Sequence, residues 1–400
     1  MALTAVANAL QQILDDAASP RAGDAVPLSL AVGRIAAVDL HSSVDVPPAD
    51  NSAMDGYALR AADWAEDVAL PVSQRITAGS IGTQLLPGTV ARIFTGAELP
   101  PGADAVVMQE DCVDDGNAVR IAGPVRAGDN VRPRGQDMAH GQLLVRRGQR
   151  IGVADAAILA ASGIAQVPVY ARLRVALLCT GDELVEPGTA LAPGQIYNSN
   201  RTLLRGMLEQ LGCEVVDCGI VRDTAEDTAV ALRNAARDAD CIVSTGGVSA
   251  GEEDHVRAQL EQHGELRLWK LNIKPGKPLA YGRMDGTPLF GLPGNPASAF
   301  VTFKLIAEPY LLRLQGCAAI EPELWKLPAA FDWPKPGSRQ EYLRARITMG
   351  ATGPTVGLFP NQSSGVLMSV AWANALVVVA PRQAITRGDL VDVLPLFTSH

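Results

Sequence analysis

The sequence has few aromatic residues, 4% of its 400 positions, and only five histidines. These histidines form no Ser/His/Asp or Cys/His pattern, and neither a G-x-S-x-G motif nor a P-loop lysine motif occurs. Nucleophilic catalysis by a side chain therefore has little support. We expect chemistry that depends on positioned anions, water and a metal ion.

Excess positive charge and paired cysteines are also lacking. The formal net charge is −9, whereas binding to nucleic acid requires a basic face. The six cysteines form no C-x-x-C pair and no zinc spacing, which is typical of reduced core thiols in a cytoplasmic protein. No apolar run approaches the ~20 residues of a membrane span, and Gln and Asp interrupt the N-terminal helical pattern where a signal peptide would be apolar. We therefore expect a cytoplasmic protein without a nucleic-acid or membrane partner.

The pattern of predicted strands and helices changes twice along the sequence, and a length of 400 residues indicates several domains. Short strands broken by Gly and Pro fill residues 25–148, strands alternate with helices over residues 172–316, and strand patterns return after residue 325. The alternation predicts βαβ units and a mostly parallel sheet. Ligands bind such sheets at the carboxyl ends of their strands, so the loops there are candidate sites.

Three of these loops carry carboxylates. Asp182 and Glu183 lie in TGDEL, Asp223 lies in VRDT, and Asp254 closes the acidic run of STGGVSAGEEDHV. The glycines of the last loop suit a phosphate at a helix N-terminus, and several carboxylates beside it suit Mg²⁺ held jointly with phosphates. The alternative interpretation is an ordinary strand–helix turn in which these acids cap helices and interact with their dipoles.

Two further loops carry positive charge and rigid turns. In KLNIKPGKPLAYG, Pro275 and Gly276 fix a turn that presents Lys274 and Lys277 together, as an oxyanion requires. A solvated surface with simple ion pairs is the alternative. The second loop, GLPGNPASAF, leads into a helix, and its prolines and potential donors are Pro293, Asn295, Pro296 and Ser298.

These motifs together resemble a known family. In chain order, DNSAMDGYA, RIFTGAELPPGADAVVMQED, RGQDM, TGDEL, STGGVSAGEEDHV, KPGKP, GLPGNPAS and QSSGVLMSVAWAN are similar to the molybdopterin molybdenumtransferases, a family that includes bacterial MoeA proteins and the C-terminal domain of gephyrin. The resemblance spans nearly the whole chain. It implies insertion of molybdate into adenylyl-molybdopterin with Mg²⁺ and release of AMP.

The resemblance also implies an architecture. It is a multidomain α/β plus β fold, with a central doubly wound α/β molybdopterin-binding domain at residues 172–320. The N-terminal domains are β-rich: one is discontinuous (1–45 and 140–171) and a second is inserted into it (46–139). A small β-barrel-like domain (321–400) ends the chain. We expect a homodimer in which the inserted domain leans over the partner's α/β domain to share an active site, and transient contacts with the adenylyltransferase and with molybdoenzyme chaperones.

Site residues come from the resemblance and from the loop motifs. The predicted catalytic residues are Asp55, Asp137, Asp223, Asp254 and Lys274, which match the family pattern, and the predicted metal ligands are Glu183, Asp223 and Asp254. The substrate-binding residues that match the family pattern are Thr95, Lys270, Pro293, Pro296, Arg344 and Ser364. Those predicted from the loops themselves are Thr180, Gly246, Gly247, Ser249, Gly251, Lys277 and Ser298. An Asx turn is the alternative for Asp55, and the neighbouring Arg339 and Arg346 leave open which arginine reaches the oxyanion.

Two other functions are compatible with parts of the sequence. A molybdopterin adenylyltransferase would explain the α/β segment, but such enzymes need neither the N-terminal β-rich region nor the C-terminal one. A non-catalytic scaffold of the gephyrin kind would explain the fold, but the complete set of cleft residues favours retained chemistry. Bound pterin nucleotide in the purified protein would discriminate between scaffold and enzyme.

Overall fold

The structure is a computed structural model that describes residues 3–248, 254–351 and 353–396. The chain begins with helix α1 (Val6–Asp15), whose buried residues Val6, Ala9 and Ile13 are three or four positions apart and so share one helical face. This face packs into the core of the central region. The N-terminal helix pattern is therefore a structural helix, as predicted.

The N-terminal region is formed by segments from both sides of an insertion. Strand β1 (Ala22–Pro27) pairs with β12 (Gln166–Tyr170), and β2 (Leu40–His41) pairs with β11 (Leu143–Val145). Helix α2 (Val153–Ala161) covers this core. The chain thus leaves the region after β2 and returns to it at β11.

The intervening residues form a six-stranded sheet with the order β7-β4-β6-β5-β9-β8. Its strands are β4 (Gly56–Leu59), β5 (Ala69–Ile76), β6 (Val90–Ile93), β7 (Ala105–Met108), β8 (Cys112–Asp114) and β9 (Ala118–Ile121). A short pair, β3 (Asn51–Ser52) with β10 (Val131–Arg132), lies beside it. Short 3-10 helices occur at Leu28–Leu30, Ala61–Asp63 and Gln109–Asp111.

The central region contains the predicted α/β sheet. Its elements are β13 (Arg174–Thr180), β14 (Leu184–Val185), β15 (Ile196–Tyr197), α3 (Ser199–Gln210), β16 (Glu214–Val221), α4 (Ala225–Asp238), β17 (Cys241–Thr245), α5 (His255–His263), β18 (Glu265–Trp269), β19 (Ile273–Lys274), β20 (Ala280–Met284), β21 (Thr287–Leu292), α6 (Pro296–Thr302) and α7 (Glu308–Leu314). The sheet order is β16-β13-β17-β21-β20-β18. The first four strands run parallel and the last two are antiparallel to their neighbours.

Burial explains why the central strands read as continuous apolar runs. Every residue of β17 and all but the first of β13 are buried, because helices cover both faces of a parallel sheet. Helices α6 and α7 are joined by a π-helical segment at Phe303–Ala307. It ends two residues before Pro309, which has no N–H to continue α-helical bonding. No helix in the described part of the chain is long and apolar enough to cross a membrane.

The C-terminal region forms a second sheet, and one strand of this sheet, β19, comes from the central region. It contains β22 (Trp325–Pro328), β23 (Gln340–Gly350), β24 (Gly353–Leu358), α8 (Leu367–Trp372), β25 (Ala375–Val379) and β26 (Leu390–Pro395). The order is β19-β23-β25-β26-β22, with β24 on β23. Strand β19 comes from the predicted basic loop, so that loop is built into the C-terminal sheet.

Candidate active site between the central and C-terminal sheets

A glycine turn follows β17 at the carboxyl edge of the central sheet. Gly246 and Gly247 have φ values of +95° and +63°, which favour glycine. A Cβ at Gly246 would lie 2.4 Å from the carbonyl oxygen of Thr180. The turn therefore packs directly on the end of β13, where the buried Thr180 Oγ1 has no hydrogen-bond partner among the described residues.

An asparagine that the sequence motifs did not single out joins this turn to the next one. Asn200, near the start of α3, donates from Nδ2 to Thr245 Oγ1 at 3.0 Å and to the carbonyl of Gly294 at 2.7 Å. Thr245 Oγ1 in turn donates to the carbonyl of Pro293 at 3.0 Å. The loops after β17 and β21 are thus held in register by one buried side chain. The sequence gives one sign of this role, which is that Asn200 is a polar residue in the first turn of α3.

The predicted carboxylates lie at three strand ends, with Asp182 among them. Asp182 Oδ1 accepts the backbone N–H of Asp223 at 3.1 Å, which draws the ends of β13 and β16 together. Thr224 rather than Asp223 caps α4, since its hydroxyl accepts the N–H of Asp227. Helix capping therefore does not account for Asp223. Glu183 is exposed.

Asp254 contributes a buried carboxylate oxygen to this edge. It precedes α5 in the N-cap position but makes no side-chain capping bond, and its Oδ2 is buried without a hydrogen-bond partner among the described residues. A buried carboxylate oxygen left unpaired is costly, which favours a bound donor or cation. Ser249, Gly251, Glu252 and Glu253 lie outside the described residues.

The predicted three-carboxylate metal site is not assembled. Within residues 3–248, 254–351 and 353–396, no group of three or more His, Cys, Asp or Glu side chains is arranged to hold a metal ion. Glu183, Asp223 and Asp254 follow three neighbouring strands, β13, β16 and β17, but their side chains are not gathered into one such group. Any Mg²⁺ at this edge would need further ligands from a phosphate.

The basic loop is fixed by three parts of the fold. The carbonyl of Lys270, which has a φ of +77°, accepts the N–H of Thr4 from the N-terminal segment. A Cβ at Gly276 (φ +100°) would lie 2.5 Å from Thr302 Cγ2, so the turn packs on α6. Lys274 precedes a cis proline and donates to Glu341 Oε1 in β23 at 3.0 Å. The exposed ammonium of Lys277 has no partner among the described residues.

The start of α6 meets the C-terminal region. Pro296 occupies the first turn of the helix, and the N–H of Ala297 donates to the carbonyl of Ser364 at 3.0 Å. Ser298 is buried, and its carbonyl accepts the hydroxyl of Thr302. The predicted contributors Pro293, Pro296, Ser298 and Ser364 are therefore brought together around this helix start.

The arginines are placed differently from the prediction. Arg344 is fully buried, and burial lowers its pKa to about 10. Its guanidinium donates to Ser369 Oγ and to the carbonyl of Ser363, so it fixes the Ser363–Ser364 loop instead of presenting itself at a surface. Residues 341 and 344 leave β23 on opposite faces because side chains alternate along a strand, so Lys274 and Arg344 are not brought together.

The other two arginines have separate partners. Arg339 Nη1 donates to the carbonyl of Ile273 at 2.9 Å, which places this residue beside Lys274. Arg346 donates to the carbonyl of Trp372 and stacks on its ring. Of the three candidates, Arg339 is therefore the one bound to the basic loop.

Asp55 and Thr95 form a unit in the N-terminal half. Asp55 Oδ1 accepts both the N–H and the hydroxyl of Thr95, each at 2.8 Å, and these bonds lower the pKa of Asp55. Neither residue is bonded to the carboxyl edge of the central sheet within the described part of the chain. Asp137 is exposed, with its N–H bonded to the carbonyl of Val46.

A glycine turn and carboxylates at the carboxyl edge of a mostly parallel sheet define the α/β class of proteins whose ligand sites lie at strand ends, and such a turn suits a phosphate. Three family models cover successive parts of the chain: the MoeA N-terminal region (domains I and II) matches residues 4–163, the probable molybdopterin binding domain matches 176–313, and the MoeA C-terminal region (domain IV) matches 326–396.

Individual relatives agree with these models. The chain is 39% identical over 326 residues to the molybdopterin molybdenumtransferase of Haemophilus influenzae, covering 81% of this chain and 80% of that one. It is 37% identical over 390 residues to the protein of that name from a Nostoc species, covering 93% and 88%. The crystal structure of a molybdopterin biosynthesis MoeA protein from Pyrococcus horikoshii aligns with a TM-score of 0.82 at 32% identity, over 99% of this chain and all of that one. The chain belongs to the MoeA family of molybdopterin molybdenumtransferases.

Proposed function

We propose that this protein transfers molybdenum from molybdate to adenylyl-molybdopterin and releases AMP. The observation that carries the proposal is the junction at α6, where the glycine turn, the basic loop and the Ser363–Ser364 loop meet through Asn200, Gly276 and Ala297. In the reaction, an oxygen of molybdate or water attacks the phosphorus of the phosphoanhydride as AMP leaves. The two dithiolene sulfurs replace two oxygens on molybdenum, which take up the thiol protons and leave as water.

The pterin nucleotide binds at the carboxyl edge of the central sheet. Gly246 and Gly247 allow its phosphates to approach the backbone, and Thr180 supplies a hydroxyl that has no partner among the described residues. The acidic edge then needs a cation before it can accept a phosphate. Asp223 and Asp254, whose Oδ2 has no partner within the described part of the chain, fit Mg²⁺, which is commonly held by one or two carboxylates together with substrate phosphates. Bound Mg²⁺ would neutralise charge on those phosphates.

Molybdate binds on the other side of α6. Lys274 and Lys277 provide positive charge, Ser364 adds a hydroxyl or an N–H, and the buried cation of Arg344 stabilises the loop that carries Ser364. Lys270, Pro293, Pro296 and Ser298 shape this part of the cleft. The lysines are positive and the carboxyl edge is negative, so molybdate binds at the lysine end of the cleft and the pterin nucleotide, with its cation, binds at the carboxyl edge.

The active protein is a homodimer that shares its sites. Val153 (77% exposed) and Leu30 (62% exposed) lie on α2 and the adjoining 3-10 helix, where they leave an uncovered apolar face that suits a second copy. In this arrangement Asp55, Thr95 and Asp137 contribute to the cleft of the partner subunit. The domain boundaries proposed above, residues 1–45 with 140–171, 46–139, 172–320 and 321–400, place these residues on a separate body from the cleft.

The remaining assignments concern the setting of the reaction. The protein works in the cytoplasm, where its six cysteines stay reduced. It receives adenylyl-molybdopterin from the adenylyltransferase and passes the product to molybdoenzyme chaperones through transient contacts.

The decisive experiment combines the purified protein with adenylyl-molybdopterin, molybdate and Mg²⁺, and measures AMP and protein-bound molybdenum. We expect both to appear together and only with all components present. Release of pyrophosphate from ATP and molybdopterin would instead indicate an adenylyltransferase. Absence of turnover with intact pterin-nucleotide binding would indicate a scaffold.

Sharing of the site is tested by mixing subunits. Asp55→Ala and Asp254→Ala are each expected to be inactive alone. After subunit exchange, the mixture should regain activity in the sites that combine intact residues from both chains. Sites formed within one chain would give no recovery despite demonstrated exchange.

A further inference from the structure

A buried carboxylate of the C-terminal sheet, Glu341, contacts the lysine at the centre of the basic loop. The side chain of Glu341 is 1% exposed, whereas that of Lys274 is 50% exposed. Glu341 Oε1 accepts from Lys274 Nζ at 3.0 Å, and Oε2 accepts from the indole N–H of Trp333 at 2.9 Å. Each carboxylate oxygen thus has one donor, as a buried charge requires.

The backbone around this pair is equally constrained. Lys274 lies opposite Glu341 in the parallel pairing of β19 with β23, and the Arg339 side chain bonds the adjoining carbonyl of Ile273. A Cβ at Gly337 would lie 2.7 Å from Glu341 Oε1. The fold therefore keeps space for this carboxylate and fixes the strand from which the lysine projects.

We propose that Glu341 is a positioning residue for Lys274 in oxyanion binding, an inference that rests on the function proposed above. An ammonium group has three N–H donors. One is bonded to Glu341, and the others project from the half-exposed end of the side chain toward solvent. Because Glu341 orders a flexible lysine before ligand arrives, less side-chain entropy is lost when a tetrahedral oxyanion binds.

The test uses the full chain with saturating adenylyl-molybdopterin and Mg²⁺, and measures AMP release against molybdate concentration. Glu341→Gln keeps the volume of the side chain but removes its charge and misplaces a donor against Trp333. The molybdate concentration for half-maximal rate should rise about tenfold, as expected for one lost charge-assisted hydrogen bond. The maximal rate and the binding of pterin nucleotide should stay within about twofold of wild type. An unchanged molybdate requirement, or an equal loss of pterin-nucleotide binding, would overturn the proposal.

A thermodynamic cycle separates positioning from mere structural support. Lys274→Met should also raise the molybdate requirement, and the double variant should be no worse than Lys274→Met alone, because Glu341 acts through the lysine. Effects that multiply would show that Glu341 acts independently of Lys274. Asp392→Asn is the matched control, since Asp392 pairs with Lys326 at 2.7 Å in the same sheet but away from the loop. It should leave the molybdate requirement unchanged.

A milder variant covers the case in which Glu341→Gln does not fold. Trp333→Phe removes only the donor on Oε2 and should raise the molybdate requirement about threefold, as for one weaker hydrogen bond. No change in this variant would contradict the proposal. If the wild-type chain releases no AMP, the proposed function fails, and calorimetry with molybdate alone then decides the role of Glu341: weaker binding in the variants supports it, and equal binding overturns it.

Discussion

The carboxyl edge of the central sheet and the basic loop, which packs on α6, differ in how their charged side chains are paired. At the edge, Asp254 Oδ2 is buried without a hydrogen-bond partner among the described residues. In the loop, Lys274 is already paired with the buried Glu341. The negative charge of Asp254 is therefore left for a ligand to neutralise, whereas the positive charge of Lys274 is already paired and oriented by Glu341. Under the proposed function this difference suits two anionic substrates: a pterin nucleotide that binds with a cation, and molybdate, which binds without one.

The largest effect should come from closing the glycine turn at the edge. In Gly246→Ala the new Cβ would meet the Thr180 backbone at 2.4 Å, and φ is +95°. We expect pterin-nucleotide binding to be abolished and stability to fall by about 3 kcal/mol or more. Binding is measured by calorimetry and stability by thermal unfolding.

Gly219→Ala is the control for backbone strain alone. Gly219 also has a positive φ, +71°, but a Cβ there would meet nothing within 4 Å. We expect a loss of only about 1 kcal/mol and normal nucleotide binding. Equal damage from both substitutions would mean that close packing on Thr180 is unimportant.

Removing charge from the edge should reduce activity without reducing stability. Asp254→Asn removes a negative charge whose Oδ2 has no described partner. Turnover at limiting Mg²⁺ should fall at least about tenfold, as for the loss of one charged ligand, while the unfolding temperature stays equal or rises. Mg²⁺ titration of AMP release, together with calorimetric scans, checks both parts. An unaltered Mg²⁺ dependence would remove Asp254 from the metal-binding role.

Removing the positive charge of Lys274 from the basic loop should, in contrast to Asp254→Asn, lower the stability of the fold. Lys274→Ala leaves the carboxylate of Glu341 buried, with Trp333 as its remaining donor among the described residues, so we expect a loss of about 1–3 kcal/mol. Adding Glu341→Gln to this variant should recover part of that loss, because the uncompensated charge is gone. Denaturant unfolding of the single and double variants measures the difference. If Lys274→Ala is as stable as wild type, the pair is not a structural link between the two sheets.

The smallest effect on stability should come from Thr95→Val, which removes one of the two hydrogen bonds to Asp55. Its pKa is lowered chiefly by the backbone N–H of Thr95 and then by the Thr95 hydroxyl. Thr95→Val removes only the second bond, so the pKa of Asp55 should rise part of the way toward its ordinary value while the group stays ionised at neutral pH. Because a lowered carboxyl pKa stabilises the fold above the unfolded pKa, the variant should be slightly less stable than wild type at neutral pH, and this difference should disappear as the pH falls through the acidic range. NMR titration of the Asp55 carboxyl measures the shift, and a pKa that does not move would assign it to the backbone bond alone.

The sequence by itself determined the elements and the chemistry at their ends. Continuous apolar runs such as those of β13 and β17 require burial on both faces, and their alternation with helices leaves few arrangements besides a mostly parallel sheet. The glycines at 246 and 247 and the prolines of the basic loop are local signals, since each reports a backbone conformation that other residues disfavour.

Tertiary structure alone decided which side chains meet. Nothing local shows that Lys274 pairs with a glutamate 67 positions later or that Asn200 joins two loops, because strand pairing across domains depends on the packing of the whole chain. The same cause explains Arg344: the resemblance implied that it contacts the oxyanion, but in the structure it is buried in β23 and donates to Ser369. Sequence identifies the groups that can do the chemistry, and the three-dimensional packing determines which of them face the same cleft.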